Sequence, residues 1–243
     1  MTLPIIAVIC AYIIKGMTGI GNTLVFSTIL SFRMNNINIS PVDLIVGYPS
    51  NIYISWKERK HIKKEIWLPL SIMVLLGSIP GILILKAGNV VLIKALFGFV
   101  VTFVGVEMLI RERIAAKRDP NKYLLTLIGI LSGILCGLFG IGAFLAAYTS
   151  RVTQSKEQFR ANTCMVFVVE NTIRMILYSI IGILNITVFK TALVMIPFMT
   201  FGLVIGMFLS NRSGERVIKR TVILLLILSG ISLIINNLRL IAS

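Results

Sequence analysis

The stretch AYIIKGMTGIGNTLVF, residues 11–26, decides how the chain is read. Lys15 follows a dozen mostly apolar residues and leads into Gly16, Gly19 and Gly21. A membrane-crossing helix runs for about 20 apolar residues, and a charge beside three glycines fits the middle of such a helix badly. The glycine pattern returns further along. GMTGIG at 16–21 aligns with GLFGIG at 137–142, an offset of 121 that places Cys136 opposite Lys15. Gly77, Gly81, Lys94 and Gly105 align with Gly202, Gly206, Lys219 and Gly230 at an offset of 125. Two halves, 1–116 and 117–243, therefore repeat within a single transmembrane domain spanning 1–243.

Of the 243 residues, 57% are hydrophobic and 14% charged, and the mean hydropathy is +0.95. A soluble domain has about 25% charged residues, so the composition is that of an all-α polytopic membrane protein. Eight apolar stretches can be drawn, at about 3–32, 41–56, 66–85, 90–110, 123–149, 161–184, 189–210 and 217–238. The net charge of +15 sits mostly in short loops between them, which is where membrane topology puts cations; no nucleic-acid partner is expected. The N-terminus, MTLPIIAVIC, lacks a basic region and a small-residue cleavage site, so it reads as a retained membrane segment.

If all eight stretches cross, the loop cations divide almost evenly between the two faces and specify no orientation. If stretches 1 and 5 instead dip in and return at their glycines, most loop cations gather on one face, with Arg239 left near the C-terminus on the other. Leu3 to Ile14 is also too short a helix to cross a core of about 30 Å. The expectation is two inverted repeats, each of three crossing helices and one re-entrant hairpin. The basic loops then face the cytoplasm, and both termini lie outside the cell membrane.

In secondary transporters, broken helices of inverted repeats bring half-helix ends to the bilayer midplane, where substrate binds. The second arms here would begin at Gly21–Asn22 and Gly142–Ala143, each offering N–H groups and the positive end of a helix dipole to an anion. Gly16, Gly19, Gly21, Gly137, Gly140 and Gly142 would let a ligand approach the backbone. Lys15 would complete a cationic pocket, with snorkelling to the surface as its alternative. Gly77/Gly81 and Gly202/Gly206 read as small-xxx-small packing pairs.

Arg174, in VVENTIRMILY, follows Glu170 by one helical turn. Either the two neutralise each other, or Arg174 grips an oxyanion while Glu170 orients it. Asn171 and its counterpart Asn51 are candidate hydrogen-bond donors. Asp43, just after Pro41, reads as a helix-start residue, with proton coupling as the competing role. Glu107 lies close enough to a helix end to be solvated. Cys10, Cys136 and Cys164 lie in apolar stretches with no CxxC pair and read as buried thiols. The lone histidine, His61, lies in the loop KERKHIKKE, and no nucleophile elbow is present, so neither an enzyme, a metal site nor a cofactor is expected.

With KGMTGIGN and CGLFGIGA early in each half, the chain resembles the sulfite exporter TauE/SafE family, also called the 4-toluene sulfonate uptake permeases. SKEQFRANTCMVFVVENTIRMILYSIIGIL (155–184), with Asn171, Arg174, Tyr178 and Gly182, and GLVIGMFLSNRSGERVIKRTVILLLILSGISLII (202–235) carry the resemblance onward. The chain departs from the family where Asn22 and Ala143 follow the last motif glycines and no proline comes soon after them. The resemblance implies transport of a small anion such as sulfite, a sulfonate or sulfoacetate across the bilayer. A different reading makes the chain a channel-like conduit for a sulfur species such as thiosulfate, with Cys136 as relay.

Overall fold

The computed structural model describes residues 2–111, 122–209, 223–224, 226–235 and 237. Lys219 and Arg239 lie outside the described residues. All the regular structure described is helical: α1 (Thr2–Thr18), α2 (Asn22–Ser31), α3 (Asn36–Lys57), α4 (Lys64–Ala87), α5 (Val90–Arg111), α6 (Lys122–Phe139), α7 (Ala143–Val152), α8 (Lys156–Ile180), α9 (Ile186–Leu209) and α10 (Leu226–Ile235), with a 3-10 turn at Arg59–His61. Four of them have the length and apolar composition to cross a membrane: α4, Val90–Glu107 of α5, α8 and α9.

Apolar residues dominate both the interior and the exposed faces of these helices, as a lipid solvent requires. Helix α1, at 17 residues, is roughly 25 Å long, and α2 and α7, at 10 residues each, roughly 15 Å. None reaches across a core of about 30 Å by itself. α1 and α2 pack against one another, as do α6 and α7, so each pair is a helical hairpin. The two hairpins correspond element for element. α1 ends at Thr18 and α6 at Phe139, α2 starts at Asn22 and α7 at Ala143, and α2 and α7 end at Ser31 and Val152, each pair 121 residues apart.

The residues group into two compact units. The first takes in Met1–Ile39, Ala87–Ala116 and Pro197–Ser243. Within it α1 lies against the C-terminal part of α9. A side chain at Gly202 would meet the Ile9 carbonyl and the Tyr12 Cβ, and one at Gly206 would meet the Ile13 carbonyl and the Gly16 Cα. Helix α5 meets α10 in the same manner, with Gly98 and Gly230 each facing the other's carbonyl.

The second unit takes in Ser40–Lys86 and Lys117–Ile196. Within it α4 lies against α6. A side chain at Gly77 would meet the Ile130 carbonyl and the Gly133 Cα, and one at Gly81 the Ile134 carbonyl and the Gly137 Cα. Backbone-to-backbone contact of this kind is what small residues permit between membrane helices. It fits the packing role expected of both glycine pairs.

Two sequence-based placements change. The first arm does not stop at Ile14. Helix α1 continues through Lys15 and Gly16 to Thr18, because Gly16 is used for contact with α9 and keeps helical geometry. Asp43 is not at a helix start either. Helix α3 begins at Asn36 and carries Pro41 and Pro49 inside it, so Asp43 is a buried residue of the helix interior.

Candidate functional site

The break of the first hairpin lies at Gly19–Gly21. Gly19 and Gly21 have φ of 87° and 90°, in the left-handed region that glycine occupies without penalty. The Gly19 N–H closes the end of α1 on the Lys15 carbonyl at 2.7 Å. The Thr18 hydroxyl stands 2.9 Å from the Ile14 carbonyl and 2.6 Å from the Ile20 carbonyl, and accepts the Ile20 N–H at 3.3 Å. Gly21 then caps α2 with no side-chain hydrogen bond.

Lys15 does not snorkel. Its side chain, 2% exposed, sits over the ring of Tyr12 with Nζ 5.7 Å from the centroid. Tyr12 precedes Lys15 by three residues and so shares its helical face. The Tyr12 hydroxyl accepts a long hydrogen bond, 3.4 Å, from Asn22 Nδ2 in the first turn of α2. One fully buried ring thus touches both the cation of the first arm and the amide of the second. Tyr12 was not singled out from the sequence, although its i, i+3 spacing to Lys15 was the available signal.

The second hairpin breaks at Gly140–Gly142 with matching backbone bonds. The Gly140 N–H reaches the Cys136 carbonyl at 2.8 Å, and the Ala146 N–H reaches Gly142 at 2.9 Å, as the Val25 N–H reaches Gly21 at 3.3 Å. Gly140 has φ of 73°, whereas Gly142 has an ordinary φ of −103°. At 142 the Phe167 ring stands where a Cβ would lie, so a larger residue there would have to displace the ring. The first glycine of each motif, Gly16 or Gly137, is a packing residue within its helix; Gly137 lies against the Ser78 backbone.

Arg174, 3% exposed, serves the second hairpin. Nη1 donates to the Cys136 carbonyl at 2.5 Å, Nη2 donates to Asn171 Oδ1 at 3.0 Å, and Nε lies 3.5 Å from Glu170 Oε1. Its guanidinium also lies 5.9 Å from the Tyr178 ring centroid, and the Tyr178 hydroxyl pairs with Ser40 at 3.0 Å. The cation therefore stands at the negative end of α6, where a helix dipole favours it. Glu170, 1% exposed, has no hydrogen bond to either carboxylate oxygen among the described residues, and Arg174 stands beside it as its counter-charge.

Of the remaining candidates, Asp43 and Asn51 are both buried on α3, each with interactions of its own, and Asn171 is bound to Arg174. The Cys136 thiol is buried and donates to the Ile141 carbonyl at 3.4 Å; the three cysteines are free, and Cys10 is exposed rather than buried. Among the described residues, no cluster of metal-ligating side chains occurs. Lys15, Tyr12 and Asn22 thus gather at one break, and Arg174, Glu170, Asn171 and Cys136 at the other.

A family model described as Sulfite exporter TauE/SafE matches residues 4–233. No curated protein and no solved structure matches the chain.

Proposed function

Because the chain belongs to the sulfite exporter TauE/SafE family, we propose that it is a secondary transporter that exports a small oxyanion, such as sulfite or a sulfonate, by alternating access around its two hairpins. Membership makes it a multi-pass membrane protein of a transporter family.

The observation that carries it is the pair of matching hairpin breaks, each with a buried cation beside it. The breaks share boundaries and backbone bonds at one offset. The contacts repeat too: Ile9, Ile13 and Gly16 meet Gly202 and Gly206 as Ile130, Ile134 and Gly137 meet Gly77 and Gly81. Two inverted repeats account for this economically, with three crossings each, basic loops in the cytoplasm and both termini outside. Irregular backbone at membrane depth is tolerated where it is buried in protein or lines a water-filled cavity.

Within this reading the first hairpin supplies selectivity. Lys15 attracts the anion, Asn22 and the N–H groups at the start of α2 donate to its oxygens, and Tyr12 orients both side chains. The counterparts of Tyr12, Lys15 and Asn22 are Gly133, Cys136 and Ala143, so the second hairpin has none of that polar set. Its charge comes from Arg174 on α8. With three nitrogens directed at protein groups, Arg174 braces the turn and contributes its field, and two N–H groups remain for a substrate. Gly19, Gly21, Gly140 and Gly142 shape the breaks, while Gly16 and Gly137 hold the arms in place. Asn51 and Asn171 are further polar candidates, and Glu170 and Asp43 are the carboxylates on which coupling to protons would rest. No second observation favours the conduit reading, since the Cys136 thiol is enclosed and bonded.

A thermal-shift screen across sulfite, sulfate, thiosulfate, sulfoacetate and simple carboxylates tests the assignment. A sulfur oxyanion should raise the unfolding temperature of the wild type and fail to do so for Lys15→Ala. Equal shifts in both proteins would remove Lys15 from the site.

A further inference from the structure

The connection between α3 and α4 takes no part in the proposed transport. KERKHIKKE, residues 57–65, carries Lys57, Arg59, Lys60, Lys63 and Lys64, all exposed, against two carboxylates. Glu58 faces His61 at 3.9 Å, and Glu65 lies in the first turn of α4, where the helix dipole accommodates it. Topology needs cations here, but topology is set as the chain inserts and does not require them to be ordered.

The backbone that carries these cations is held in place. Arg59–His61 forms a 3-10 turn tied to α8 by one side chain, Asn162, which is fully buried. Asn162 Nδ2 donates to the His61 carbonyl at 3.1 Å and the Gln158 carbonyl at 2.7 Å, and Oδ1 accepts the Lys63 N–H at 2.9 Å. Arg59 is fixed as well: Nη1 donates to the Trp56 carbonyl at 3.1 Å, and its guanidinium lies 4.9 Å from the Trp56 ring centroid.

Below the turn the surface is apolar. Ile52, Tyr53 and Trp56 are exposed on the last turns of α3, Trp56 at 64%. Trp67, the chain's other tryptophan, lies half-buried at the start of α4, packed on a core of Leu70, Val74, Cys136, Leu145 and Val166. Tryptophan and tyrosine gather where headgroups meet acyl chains, and α4 has the length and apolar composition to cross a membrane. A rigid basic turn above an exposed aromatic and aliphatic face matches a molecule with an anionic head and an apolar tail. A soluble phosphate would use only the upper half.

We propose that the 57–64 turn is a preorganised binding site for the headgroup of an anionic phospholipid. Lys60, Lys63 and Lys64 meet the headgroup phosphate, and Arg59, held on Trp56, marks the boundary with the acyl chains. The site is independent of the transport reading, since none of its residues belongs to a hairpin break.

The test is lipid binding to the full-length protein in detergent, titrated with phosphatidylglycerol or phosphatidylcholine and followed by native mass spectrometry and thermal shift. Phosphatidylglycerol should bind preferentially, and Lys60→Gln with Lys63→Gln should weaken it about fivefold for each cation removed. Asn162→Ala keeps every charge and releases the turn, so it should also weaken phosphatidylglycerol several-fold. Equal binding of the two lipids, wild-type affinity in the double lysine variant, or wild-type affinity in a folded Asn162→Ala protein would each overturn the proposal. If Asn162→Ala does not fold, the double lysine variant, which changes only exposed side chains, decides. Inorganic phosphate at matched concentration should not displace the lipid; full displacement would also overturn it.

Discussion

Arg174 on α8 donates to the backbone carbonyl of Cys136 at 2.5 Å, and that carbonyl also takes the Gly140 N–H that ends α6. A long-range contact, 38 residues along the chain, thus holds the last turn of the arm just where the helix must stop. The first hairpin ends α1 with the corresponding backbone bond and carries its cation, Lys15, in the arm itself. Each break has a buried positive charge, reached by a different route.

Removing the Arg174 charge should cost stability before it costs anything else. Arg174→Ala leaves Glu170 buried without its Arg174 counter-charge, an arrangement that costs about 3–5 kcal/mol. Replacing both residues with apolar side chains of similar size should recover most of that loss, because a buried pair is often no more stable than its apolar substitute. Thermal unfolding of Arg174→Ala and of Arg174→Met with Glu170→Met checks this. A double variant no more stable than the single one would show that the Cys136 bond, and not the charge balance, dominates.

Lys15 should behave differently. It lies 2% exposed beside the turn with its charge over the Tyr12 ring, and contacts of this kind offset the few kcal/mol that a buried cation costs in a membrane. Lys15→Met removes the cost and the contacts together, so it is expected to unfold near the wild-type temperature while losing anion-dependent stabilisation and transport. A large drop in stability without added anion would place Lys15 among the structural residues.

Tyr12 acts through Lys15 and Asn22 rather than on its own. Tyr12→Phe keeps the ring under Lys15 and removes the hydroxyl that Asn22 reaches, so transport should continue with a higher half-saturation concentration. Tyr12→Leu removes both contacts and should approach the Lys15→Ala defect. Concentration dependence of flux distinguishes the two, and identical behaviour of Phe and Leu would remove the cation–ring contact from the account.

Much of this architecture is legible in the primary structure, for physical reasons. The breaks were readable because Gly19, Gly21 and Gly140 need positive φ, which few other residues supply. The packing pairs were readable because close helix approach leaves no room for Cβ atoms at Gly77, Gly81, Gly202 and Gly206. The same residue type serves both purposes, so the motif could not reveal that Gly16 and Gly137 pack while their neighbours turn. Nor did local sequence disclose that α3 starts before Pro41, leaving Asp43 in the interior. Asn162 was illegible because its partners, His61 and Lys63, are about a hundred residues away in the chain.

Substituting the packing glycines should hurt both halves alike. Gly206→Val and Gly81→Val each push a branched side chain into the facing backbone, of α1 and α6 respectively. Overpacking of this kind costs about 1–3 kcal/mol, more where backbone cannot retreat. Similar losses in unfolding temperature at the two positions are expected, and a neutral result at either would show that its helices separate readily.

Movement of a small oxyanion past Lys15, as proposed for this chain, is observed as flux. Purified protein in proteoliposomes, loaded with sulfite and followed for its release, should show efflux that saturates with concentration. Lys15→Ala, folded by the same melting criterion as wild type, should reduce the rate to that of sulfite-loaded liposomes without protein. Wild-type efflux from a folded Lys15→Ala protein would contradict the account, as would the absence of any sulfur-oxyanion flux from the wild type.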